Sequence, residues 1–109
     1  MSTRPDLRLT AAERDAFLRA VVADGDEVAY AVRDADGYPS VGLCEVALEG
    51  DMLRLSGDRP VDGAAACVIV ERGATYDDIT AVIVRGVVRD RRIALDDVVS
   101  FAFGKLPPG

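Results

Sequence analysis

Few side chains in this sequence could do chemistry unaided, because it contains no histidine. The usual general base, zinc ligand and axial haem ligand are therefore missing. Glu45 stands between Cys44 and Val46 in an apolar strand. To act as a general acid or base it would need burial and a shifted pKa; the plainer reading is an outward or interface-facing charge. Asp77-Asp78 and Asp96-Asp97 have the side chains of a hard-metal ligand set. The first pair reads as a turn, however, and the second as the opening of a helix, where acids complement the dipole. No metal site is expected. Cys44 and Cys67 lack the Cys-x-x-Cys spacing and read as buried free thiols, with a disulfide between them left open. No nucleophile–base pair stands out.

Composition narrows the partners. The 109 residues suit one domain spanning 1–109 with a single core. With 3 Phe, 3 Tyr and no Trp, that core must be built from Val, Ala, Leu and Ile. A net charge of −6 argues against sequence-independent nucleic-acid binding, which needs a basic face. The clustered bases Arg85, Arg89, Arg91 and Arg92 read as a solvated strand end. The longest apolar run is too short to cross a bilayer, and Arg4, Asp6 and Arg8 stand where an export segment would be apolar. The expectation is a cytoplasmic protein with no membrane and no nucleic-acid partner.

The elements that would position a site are mostly strands. After an N-terminal tail (1–9), Thr10-Ala11-Ala12-Glu13 has the form of a capping box, with Leu9 placed as a hydrophobic staple. It predicts a helix over about 11–23 with Phe17, Leu18, Val21 and Val22 on one face, stopped by Asp24-Gly25. Strands are expected at 28–32, 38–43, 52–56, 64–71 and 79–89. The glycines of Asp36-Gly37 and Gly50-Asp51 supply hairpin turns that make the first three an antiparallel meander. The last two strands are apolar on both faces, so both faces should be covered, one by the core and the other by a second subunit. Ala94–Phe103 reads as a C-terminal helix with Leu95, Val98, Val99 and Ala102 on one side, ahead of a tail (104–109). The fold class is mainly β: a small antiparallel barrel with an N-terminal and a C-terminal helix, dimeric.

Laid out this way, the chain resembles the split β-barrel flavoproteins, the pyridoxamine-phosphate-oxidase-like family with its deazaflavin-dependent relatives. The resemblance runs from about Phe17 to Arg89. It rests on the helix ending in Phe17-Leu18, the alternating strand Val28–Val32 and the Asp-x-Asp-Gly-x-Pro turn of Asp34–Pro39. It rests also on the Gly-Asp turn before the third strand and on Tyr76 ahead of a strand ending in Val84-Arg85-Gly86. The resemblance implies a homodimer with FMN or a deazaflavin in the groove between subunits. Ser40, Val41, Gly42 and Leu43 match the segment that lines the isoalloxazine. Ser56, Gly57, Asp58 and Arg59 match the start of the phosphate loop, where backbone donors and a cation suit a dianion. Tyr76 matches a ring at the substrate groove, though a loop aromatic covering a strand end is the plainer reading.

The sequence also departs from that pattern. After Arg59 it runs Pro60-Val61-Asp62-Gly63 straight into the next strand, shorter by about two helical turns. The family's phosphate-binding helix and its lysine are missing, Asp58 and Asp62 add negative charge, and the family's usual closing strand pair is not expected at the C-terminus. Two functions remain. One is an FMN- or deazaflavin-dependent oxidoreductase acting on a small molecule, in which the cofactor carries the chemistry and histidine is dispensable. The other is a cofactor-free dimeric binding module on the same fold.

Overall fold

A computed structural model describes residues 6–33, 37–56 and 62–106, with only the backbone of Tyr76. The fold is mainly β, with one α-helix and two antiparallel sheets. Helix α1 (Ala11–Asp24) begins as its sequence dictates. Glu13 N donates to Thr10 Oγ1 at 3.1 Å, and Thr10 N donates to Glu13 Oε1 at 3.0 Å. It ends at Gly25, whose φ of 66° is the left-handed cap that a side chain would strain. Leu18 and Val21 are buried, with Phe17, Val22 and Leu9 packed alongside. Arg72 ties the end of α1 to the sheet through Asp24 (2.6 Å) and Asp26 (2.5 Å).

The larger sheet has the order β2 (Pro39–Cys44), β1 (Val28–Arg33), β5 (Ala65–Arg72), β6 (Thr80–Val87), β8 (Val98–Ala102). The smaller has the order β3 (Val46–Glu49), β4 (Met52–Leu55), β7 (Arg92–Ala94). The expected meander is thus divided between two sheets. β1 pairs with β2, but at Glu45 the chain turns out of one sheet and enters the other as β3, which pairs with β4. Side chains from both sheets and α1 share one core, including Leu18, Leu53, Val68, Val82, Val84 and Ile93, all fully buried.

The C-terminal helix expected over 94–103 does not form. β7 and β8 occupy most of that stretch, so the chain closes in strands, with only a 3₁₀ turn at Phe103–Lys105. Spacing alone cannot separate the two outcomes, because Leu95, Val98, Val99 and Ala102 also satisfy a helical stripe. Tertiary pairing decides it. Ile93 is fully buried opposite Leu53, and β8 pairs along β6 from Thr80 to Val84. The Asp96-Asp97 pair, expected in a helical first turn, is the bend between them. Arg85 holds it, its backbone N donating to Asp97 O and its Nη2 to Asp97 Oδ1, both at 2.9 Å. No helix among the described residues is long and apolar enough to cross a membrane.

Candidate functional site

Because side chains alternate across a strand, register assigns each residue of the larger sheet to a face. Tyr30, Val68 and Val84 lie in one row pointing into the core. The neighbouring row, Leu43–Ala29–Ile69–Ile83–Val99, lies on the opposite, outer face and crosses all five strands. The next outer row is Val41–Ala31–Cys67–Arg85, and the one after it Pro39–Arg33–Ala65–Val87. The both-faces-apolar character of β5 and β6 thus divides into a buried inner face and an outer face that this single chain leaves partly open.

Within those rows, small residues meet large ones. Ala31, Ala65 and Cys67 form the floor of a shallow, open depression of about 520 Å³, rimmed by Arg33, Arg85 and Val87. Its surface is almost wholly apolar apart from the two guanidinium groups. Arg85 is paired with Asp97. Arg33 is exposed and has no side-chain partner among the described residues. Of these floor residues the sequence singles out only Cys67, expected as a buried thiol; it is free but half-buried. The available signal was the run of small side chains at alternate positions of β1 and β5, and only the β1–β5 register shows that they are adjacent.

The residues matched to the ring-lining segment divide between the faces. Val41 and Leu43 project outward, 82% and 64% exposed, beside the depression. Ser40 and Gly42 lie in inward rows, opposite Val32 and Tyr30. Gly42 makes room for the Tyr30 ring: a Cβ there would stand 2.7 Å from Tyr30 Oη and 2.9 Å from Cζ. That glycine serves the core.

Ser56 is placed elsewhere, at the mouth of the β3–β4 hairpin. Its Oγ accepts from Glu45 N at 2.8 Å and donates to Glu45 O at 3.0 Å. Gly57, Asp58 and Arg59 lie outside the described residues. Tyr76 opens a 3₁₀ turn (Tyr76–Asp78) just before β6, whereas the depression lies at the other end of that eight-residue strand, roughly 20 Å along it. The structure does not bring them together.

Several charges elsewhere are used in ion pairs. Arg92 Nε donates to Glu49 Oε2 at 2.5 Å and its Nη1 to Asp90 Oδ2, while Arg54 shares Glu49 at 3.2 Å. The Arg92 hydrogen bond, then the Arg54 contact, holds the Glu49 carboxyl below its ordinary range. Glu45 is exposed. Both cysteines are free and sit on opposite faces, Cys44 buried and Cys67 half-buried in the depression. Burial, reinforced by the charge of Glu27, pushes the Cys44 thiol up to about 11. Among the described residues no three ligating side chains cluster to hold a metal. No protein-family model matches the chain, and no curated protein or solved structure matches it either.

Proposed function

We propose that this chain is a small FMN- or deazaflavin-binding, oxidoreductase-like protein of split-barrel type, acting as a homodimer in which a second copy covers the outer sheet face. The depression over Ala31, Ala65 and Cys67 carries this reading. A floor of small side chains accepts a flat ring, and Arg33 at its rim, without a side-chain partner among the described residues, offers a cation to an anionic tail in a chain that is otherwise net acidic. Val41 and Leu43 extend the apolar surface to the sheet edge. The strand that crosses from one sheet to the other at Glu45, around a shared core, supports the split-barrel form. In this reading the ring system supplies hydride chemistry, and the protein binds it, orients it and excludes water around a small-molecule substrate.

One observation favours the cofactor-free dimeric module instead. The Ser56 hydroxyl, expected at a phosphate, is engaged at both its donor and acceptor positions by the Glu45 backbone. The two readings separate in a fluorescence-quenching titration with FMN and with a deazaflavin, using the native chain and an Ala65→Trp variant. Saturable quenching by one of them, abolished when the indole fills the depression, supports the cofactor reading. No quenching of either by the native chain contradicts it and leaves the binding module.

A further inference from the structure

The hairpin between β6 and β7 carries a backbone strain that burial does not explain. Arg89 N donates to Arg92 O and Arg92 N to Arg89 O, both at 2.9 Å, so Asp90 and Arg91 form a two-residue turn. Both have positive φ, 51° and 59°. Such turns favour Asn-Gly or Asp-Gly, because glycine takes the second left-handed position without strain. Here an exposed arginine stands in that place. Its backbone is locked there by partners distant in sequence: Arg91 N donates to Asp62 Oδ1 at 3.3 Å, and Arg91 O accepts from Leu55 N at 2.8 Å. A side chain kept at a strained position that its surroundings over-determine is a place to look for function.

Arg91 lines a hollow of about 340 Å³ on the smaller sheet, together with Arg54, Ser56 and Glu45. Val46 and Leu55 give it an apolar wall. Two of its polar groups are already engaged. Arg54 pairs with Glu49, and the Ser56 hydroxyl bonds the Glu45 backbone. Neither Glu45 nor Arg91 has a side-chain partner among the described residues, and they do not pair with each other. Glu45 also sits on fixed backbone, at the crossing between the sheets that Ser56 pins. The hollow thus holds one carboxylate and one guanidinium on rigid supports, which lowers the ordering cost of binding. A ligand with both an ammonium and a carboxylate answers the two together. Such a ligand has no net charge, so a chain of −6 does not repel it as it would an anion.

We propose that this hollow binds a small zwitterion of the α-amino acid class. The ligand's ammonium donates to Glu45, its carboxylate accepts from Arg91, and an apolar side chain rests against Val46 and Leu55. The hollow shares no lining residue with the depression over Ala65, so the site stands or falls independently of the cofactor.

Titration of the purified chain with leucine, followed by amide NMR shifts, tests the site. Saturable shifts should centre on Val46 and Arg91. Leucinamide, whose carboxylate is masked, and isocaproate, which lacks the ammonium, should each bind about tenfold or more weakly, the loss of one charge-assisted contact. Glu45→Gln should weaken leucine and leave isocaproate unchanged. Arg91→Gly should weaken leucine and leave leucinamide unchanged, while its melting temperature holds or rises as glycine relieves the left-handed position. Three results would each overturn the proposal. The first is no saturable shift with leucine at the hollow. The second is isocaproate binding as tightly as leucine, which makes the hollow an anion site. The third is a lower melting temperature for Arg91→Gly, which assigns the arginine to the fold.

Discussion

Ser56 closes onto Glu45 through three hydrogen bonds: Glu45 N to Ser56 Oγ, Ser56 Oγ to Glu45 O, and Ser56 N to Glu45 O at 3.0 Å. They pin the point where the chain leaves the larger sheet for the smaller one. The hydroxyl is thus a structural latch. Ser56→Ala should cost about 1 kcal/mol of stability, the net worth of an intramolecular hydrogen bond. Flavin or deazaflavin affinity should stay unchanged. A fall in affinity without a fall in melting temperature would return Ser56 to the ligand site.

The Tyr30 ring leaves no space for a side chain at position 42. Gly42→Ala should destabilise the fold by about 1–3 kcal/mol, the usual cost of overpacking a core. Denaturant midpoints for this variant with Tyr30 intact and with Tyr30→Val give the check. Most of the loss should disappear in the double variant, whose smaller residue 30 removes the clash.

The two thiols should behave differently. Cys44 is buried and its pKa is raised to about 11, so little thiolate forms near neutral pH. Cys67 lies in the open depression. A chromogenic disulfide reagent should therefore label Cys67 first in the folded protein and Cys44 only on unfolding. Labelling Cys67 with a bulky group should also block cofactor quenching.

Acid should weaken the β3–β4–β7 sheet by a predictable route. Arg92 keeps Glu49 ionised below its ordinary pKa of 4.5. A folded-state pKa lowered in this way adds stability that is complete above the unfolded value and is lost as pH falls through the folded one. Because the carboxyl is solvent-screened, the effect is small. The gap in urea midpoint between the native chain and Glu49→Gln should narrow as pH drops below 4.5 and vanish in stronger acid. A gap that widens would reverse the sign of the coupling.

Local signals carried the sequence reading where contacts are local. The capping box at Thr10 and Glu13, the stop at Gly25 and the alternation from Val28 to Val32 all act within a few residues. The stretch Ala94–Phe103 reads as a helix because its apolar spacing satisfies a helix as well as a strand, yet it folds as the end of β7, a bend and β8. Its state is decided by distant partners, Leu53 for Ile93 and Arg85 for Asp97. The depression was illegible for the same reason. Ala31 and Cys67 are 36 positions apart, and only the register of β1 on β5 sets them side by side. The division of Ser40–Leu43 between two faces became visible only once the inward row containing Tyr30 was known.

Equilibrium dialysis of the purified chain against FMN and against a deazaflavin tests the central claim most directly, with retained cofactor read from its visible absorbance. The account predicts saturable retention of one of the two, at about one ring per depression, and its loss in Ala65→Trp. Equal absorbance on both sides of the membrane for both compounds would contradict it.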